Sequence, residues 1–238
     1  RIRKPGEEKI DRHLGSLSPD AMLVRSLGAL EDGVLRRKNA AADDRPLLRV
    51  GDFSLNVTNS VTAHRLLAMG ADTLTAAHDL DEKQLHALLR RVPAERIAVA
   101  LHHHISTFHT EHCVYAHLLS KGRDWRSCGR PCEKHQLSLR DVNGLEHPVI
   151  VDVGCRNTVF NAQAQTAAAA VSRLLAAGVR RYRIEFVRET REQAASVLAA
   201  YEALFAGKIG VPELRERIAV QEQFGVTAGT MRTMGEGR

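Results

Sequence analysis

"LLRVGDFSLNVTNSVTAHRLLAMGADTLTAAHDLDEKQLHALLRRVPAERIAVALHHH" runs from Leu47 to His104, and its rhythm decides the fold class. A strand, Leu47 to Ser60, ends in Asn and Ser, which suit a loop and a helix N-cap. The helix "SVTAHRLLAMGA" follows and stops at Gly70, the residue type that ends helices most easily. "DTLTAAHDL" is a second strand with its exit loop, Asp81 caps "EKQLHALLRRV", and "RIAVALHHH" is a third strand. Strand, helix and Gly stop in regular succession give βα units and a parallel sheet.

The same order extends in both directions. "AMLVRSLGAL" (Ala21 to Leu30) reads as a buried strand running into a loop, and "RRKNAAADDRP" (Arg36 to Pro46) as a polar turn. Further on, "EHPVIVDVG" is a strand, "QTAAAAVSRLLAAG" a helix with Gly178 at its end, "RRYRIEFV" a strand and "TREQAASVLAAYEALFAG" a helix. The reading gives about six strands, an α/β (β/α) barrel-like parallel sheet lacking its first strands. A doubly wound open sheet is the alternative, but no G-x-G-x-x-G follows a strand to support a dinucleotide crevice. The expected organisation is a barrel-like domain over residues 1–210, a Cys-rich excursion over 105–148 at the strand C-termini, and a C-terminal helix and tail over 211–238.

Composition sets the class. The 238 residues are 44% apolar and 26% charged, ordinary for a globular protein, and the 4% aromatic content leaves a core of Leu, Val and Ala. The net charge of +6 and the twelve histidines permit a polyanionic partner such as RNA. No apolar run approaches the ~20 residues of a membrane span. The opening "RIRKPGEEKIDRHLG" has neither an apolar core segment nor a cleavage site, so no signal peptide is expected. It also lacks a starting Met, so a cut inside a longer protein is expected. Four cysteines are too few for a disulfide scaffold in a chain this long, which points to the cytoplasm.

Active sites of such sheets lie beyond the strand C-termini. Asn56, Asn59, His78, His102 to His104, Cys155, Arg156, Asn157 and Glu185 fall there. Of these, Asn56, Asn59, His104, Arg156, Asn157 and Glu185 supply amides, imidazole and charge for a substrate, while Asn56 and Asn59 could equally serve as caps for the next helix. No G-x-S-x-G elbow is present, and "HTEH" (His109 to His112) is not H-E-x-x-H, so no catalytic set is assigned.

The chemistry concentrates in "FHTEHCVYAHLLSKGRDWRSCGRPCEKH", Phe108 to His135, followed by "DVGCRN". The spacing is Cys113-x14-Cys128-x3-Cys132-x22-Cys155. Soft thiolates suit zinc or iron–sulfur clusters, and four complete the ligand set of either. Gly129 and Pro131 hold the x3 pair off a regular helix. The alternatives are buried hydrophobic cysteines, or a zinc site that also uses His135 or His112.

"GDFSLNVTNSVTAHRLLAMGADTLT", "FHTEHCVYAHLLSKGRDWRSCGRPCEKH" and "HPVIVDVGCRNTVFN" together resemble the collagenase-like peptidase family U32, from about Met22 to Val187. The family name implies proteolysis. The resemblance also extends to branches that hydroxylate RNA bases or the ubiquinone ring without oxygen, on a barrel-like domain whose four cysteines hold an iron–sulfur cluster. It implies that Cys113, Cys128, Cys132 and Cys155 ligate a [4Fe–4S] cluster, with zinc as the alternative. Arg123, Arg126 and Arg130 are then expected to offset its negative charge. The implied substrate is RNA or a small aromatic molecule, with a peptide as the alternative and a partner subunit possible.

Overall fold

The computed structural model describes residues 8–17, 19–31, 47–221 and 226–227. The expected turn at Arg36–Pro46 and most of the tail lie outside them. The chain divides into two compact units, each built from separate segments. The first comprises the described residues up to Ala100 together with Ala170–Arg183. The second comprises Leu101–Ala169 and the described residues from Ile184 onward.

The first unit is α/β. After helix α1 (Glu8–Ser16), strands β1 (Ala21–Val24), β2 (Leu48–Gly51), β3 (Thr73–Thr75) and the start of β4 (Ile97–His103) pair in parallel in that order. Every residue of β4 is buried, which is why its apolar run shows no alternation. Helices α2 (Leu27–Glu31), α3 (Ser60–Ala68), α4 (Glu82–Leu89) and α6 (Val171–Ala176) belong to this unit, as does most of β10 (Arg181–Ile184), which pairs with β4. Val24, Leu30, Leu66, Leu74, Leu85, Ile97 and Leu174 anchor its core.

Local chemistry sets the helix ends. The Asn59 carboxamide caps α3 by accepting the Thr62 N–H at 2.9 Å. Asp81 and Gln84 form a reciprocal capping box on α4, with bonds of 2.8 and 2.9 Å. Gly70 and Gly178 take positive φ just past α3 and α6, as their sequence positions predict.

Several boundaries differ from the sequence reading. Ala21–Leu30, expected as a strand running into a loop, is strand to Val24 and then helix: Ser26 opens α2 by accepting the N–H groups of Ala29 and Leu30. The strand expected over Leu47–Ser60 ends at Gly51 and gives way to a 3₁₀ turn, Phe53–Leu55. The helix expected over Gln165–Gly178 begins at Val171. The alanines suit a helix, but Gln165 and Thr166 pair instead with His103 and His102.

The second unit is built differently. The end of β4 pairs antiparallel with β9 (Ala164–Thr166), and β11 (Val226–Thr227) lies parallel to β9. Strands β5 (Ser106–Thr110), β8 (Asn157–Phe160), β7 (Glu146–Val151) and β6 (Leu137–Arg140) form a separate antiparallel sheet in that order. The segment Glu146–Gly154, expected in the parallel sheet, therefore supplies an inner strand of an antiparallel one. Helix α5 (Val114–Leu119) lies between β5 and β6 in sequence, and α7 (Arg191–Phe205) and α8 (Val211–Gln221) follow β10. The buried Tyr201 hydroxyl of α7 bonds to the Leu101 carbonyl at 3.2 Å and to the Thr166 hydroxyl at 2.6 Å. No helix among the described residues is long and apolar enough to cross a membrane.

Candidate functional site

The cysteines stand on irregular backbone held in place by side chains. Cys113 occupies the N-cap of α5 but makes no side-chain cap bond. The N–H of Val114, the first residue of the helix, is taken by the Asn157 Oδ1 at 3.0 Å. At the next residue, the buried Tyr115 hydroxyl accepts the Leu137 N–H at 3.0 Å and donates to the Val149 carbonyl at 2.9 Å, tying α5 to β6 and β7. Tyr115, Val149 and Val159 form a small core against which Cys113 and Cys132 pack.

Cys128 ends a loop organised by Asp124. Its Oδ1 accepts the N–H groups of Arg126 and Ser127 at 3.0 and 3.1 Å and the Ser127 hydroxyl at 2.9 Å. The Ser127 hydroxyl, then the Arg126 N–H, hold the Asp124 carboxyl below its usual range. Gly122 lets the loop close: a Cβ there would lie 2.3 Å from the Ser127 backbone and 2.4 Å from the Cys128 nitrogen. Gly129 and Arg130 then take positive φ in succession, and Pro131 starts the 3₁₀ turn Pro131–Glu133 that carries Cys132. The two left-handed residues and the proline keep the x3 pair out of a regular helix, as the sequence predicts.

Cys155 lies in the turn Asp152–Arg156. Its N–H reaches the Asp152 carbonyl at 3.0 Å, and the Asp152 Oδ1 accepts from Gly154 and Arg156 at 2.7 and 2.9 Å. Cys155 has φ 60°, a left-handed conformation unfavourable for a residue with a Cβ. Its carbonyl accepts from the Asn157 Nδ2 at 3.2 Å.

All four cysteines are free thiols of intermediate burial. Burial first, and then the thiols of Cys113, Cys128 and Cys132, push the Cys155 thiol above its ordinary pKa, with Asp152 adding to the effect. Two parts of the sequence, at Cys113 and at the Cys128–Cys132 pair, thus place their sulfurs close enough to act on Cys155. Among the described residues, no group of three or more His, Cys, Asp or Glu is arranged to hold a metal ion. A single tetrahedral ion needs all its thiolates at about 2.3 Å from one centre, whereas a cluster takes each through a separate iron.

The donors around the thiols differ from expectation. The Arg130 guanidinium pairs with Glu133 at 3.2 Å, both largely exposed, and Arg126 stacks on Trp125. Arg130 contributes through its backbone instead, its N–H donating to the Cys128 Sγ at 3.4 Å. Arg156, the residue after Cys155, is buried, with its guanidinium on Glu111 at 3.0 Å and Asp152 at 3.7 Å. As for the histidines considered as zinc ligands, His112 packs edge-on against His117, and His135 is exposed.

The remaining expected residues fall into separate places. Asn56 is left-handed after the 3₁₀ turn and Asn59 caps α3, both in the first unit. Glu185, half-buried in the second unit, donates its N–H to the His102 carbonyl at 2.8 Å. His104 donates Nδ1–H to the Asn161 carbonyl at 2.8 Å, and its Nε2 meets Glu189 at 3.1 Å. Burial alone would raise the Glu189 pKa, but the His104 bond and the Val187 N–H outweigh it and bring the carboxyl down to about 2.

Apart from His78, sequence reasoning missed a group at the C-terminal ends of β1–β3 and on β10. The buried Asp52 takes Arg25 at 2.9 Å and Arg183 at 2.5 Å, and Arg183 also reaches the Thr75 hydroxyl at 3.0 Å. His78 stacks on Phe53 with centroids 4.1 Å apart. Burial first, then Arg183, lowers the His78 pKa to about 4, so its ring is neutral at physiological pH. The strand-end position of Asp52 and Arg183 was the available signal, but nothing in the sequence pairs residues so far apart.

A family model described as peptidase family U32 matches residues 8–220. No curated protein and no solved structure matches the chain.

Proposed function

The chain belongs to peptidase family U32, and from that membership and the gathered cysteines we propose that it is an iron–sulfur enzyme of the oxygen-independent hydroxylation type. Cys113, Cys128, Cys132 and Cys155 would hold a [4Fe–4S] cluster, and the proposed substrate is RNA or a small aromatic molecule. The observation that carries the reading is the joint action of three thiols on Cys155. Four soft donors with an N–H directed at one of the sulfurs fit the donor chemistry of a cluster.

When bound, the cluster would supply one-electron chemistry. The chain's own part can be argued from its geometry. Burying four thiolates together is costly unless cationic and N–H groups face them. The Arg130 N–H supplies one such group to the Cys128 Sγ, while Glu111 and Asp152 hold the buried Arg156, the residue after Cys155. His104, bonded through both ring nitrogens to the Asn161 carbonyl and Glu189, is held in one orientation in the second unit. We assign substrate contact to His104 and Glu185. The parallel strands are read as part of a barrel-like sheet, and residues 105–148, which follow β4 in sequence, as a Cys-rich insert. A reducing cytoplasm suits the free thiols.

Anaerobic purification tests the proposal. The expected protein is coloured, with broad visible absorption, iron and acid-labile sulfide in equal amounts, and no zinc. Replacing any one of the four cysteines with Ser should lower iron content and loosen residues 105–148, because ligand binding there is also folding energy. A colourless protein with one zinc per chain and no sulfide would overturn the cluster and favour a peptidase with structural or zinc-binding cysteines.

A further inference from the structure

We infer that Asn157 is the positioning residue that fixes Cys113 and Cys155 as a pair, an inference that rests on the cysteine-centre reading above. Helix N-caps are normally Ser, Thr, Asp or Asn, whose side chains take up the first free N–H groups. Here the N-cap is a cysteine that makes no such bond, which leaves its sulfur available for ligation. The first N–H of the helix, that of Val114, is instead met from 43 residues away, by the Asn157 Oδ1 at 3.0 Å.

The other arm of the same amide donates to the Cys155 carbonyl at 3.2 Å. One planar group of fixed length thus joins the backbone beside Cys113 to the backbone of Cys155. Asn157 itself is fully buried. It stands in the middle of the antiparallel sheet, opposite Thr110 of β5 and Val151 of β7. An Asp there could accept from Val114 but not donate to Cys155, and a Gln would be one methylene too long. Only the carboxamide of Asn serves both arms at this reach. The strained Cys155 conformation gives the second arm its purpose: a left-handed residue with a Cβ stays in place only when its surroundings hold it.

The test uses the full chain with Asn157→Ala, Asn157→Asp and, as a control, Tyr115→Phe, which loosens α5 without touching Cys155. In metal-free protein, amide exchange is followed at Val114, Cys155 and Arg156. Asn157→Ala should exchange about five- to tenfold faster at all three, the effect of one lost hydrogen bond on each arm. Asn157→Asp should keep Val114 protected and lose protection at Cys155 and Arg156. Tyr115→Phe should leave Cys155 and Arg156 unchanged.

After anaerobic reconstitution with iron and sulfide, Asn157→Ala should lose iron to a chelator about tenfold faster than the parent chain. Asn157→Asp should hold a cluster with a shifted reduction potential. Faster exchange at Val114 alone would reduce Asn157 to a helix cap and overturn the inference, as would parental iron retention in Asn157→Ala. Should Asn157→Ala fail to fold, Asn157→Asp decides: protection kept at Cys155 and Arg156 overturns the inference. A parent chain that takes up no iron or sulfide sinks the cluster reading, and the exchange comparison still judges the pin.

Discussion

Cys155 pays for its position in backbone strain. A φ of 60° costs an L residue about 1–2 kcal/mol, and glycine escapes that cost at the expense of extra freedom in the unfolded chain. Cys155→Gly should therefore stabilise the metal-free protein by about 0.5–1 kcal/mol while removing a proposed ligand. Urea denaturation reads the gain and iron analysis reads the loss. A less stable metal-free variant would show that the thiol, not the turn, holds this conformation. The residues flanking it were legible in the sequence by type but not by role. Arg156 and Asn157 were expected to face a substrate, yet the guanidinium lies buried between carboxylates and the carboxamide bonds to two backbone segments. No residue type announces which partner it will take from 43 positions away.

At the scale of elements, the loop carrying Cys128 depends on the bare Cα of Gly122. A methyl group there would meet backbone rather than a flexible side chain, so the Asp124 turn must open. Gly122→Ala should lower stability by about 1–3 kcal/mol, the range for overpacking, and expose Cys128 to faster alkylation. Thermal melts with thiol labelling would check both, and an unperturbed melt would contradict the close approach. The βα units around α3 and α4 were legible because caps, Gly stops and apolar runs all agree there. The antiparallel sheet was not. Four of the five residues of β5, "STFHT", are exposed, so the strand carries no apolar alternation to read. β7 was found as a strand but assigned to the wrong sheet, because a short apolar run says nothing about the direction of its neighbours.

At the scale of the whole molecule, acid stability reports the second unit's ion pair. The Glu189 carboxyl falls from 4.5 to about 2 on folding, so its contribution is complete above about 4.5 and fades as pH drops toward 2. Glu189→Gln should be less stable than the parent at pH 6 and should lose less stability between pH 5 and pH 3, by about the fraction this one group carries. Urea midpoints across that window give the answer, and parallel curves would show that the pair contributes nothing. The first unit holds its own buried charge, Asp52, between Arg25 and Arg183. Its two counter-ions are made at very different times. Arg183 follows Asp52 by 131 residues, which a ribosome adding about 5–20 residues per second needs roughly 7–26 s to synthesise. Most of that interval goes to Leu101–Ala169, which belong to the other unit. A nascent chain that stalls anywhere in this stretch carries a carboxylate whose second guanidinium does not yet exist, and a truncated product is left with that shortfall for good.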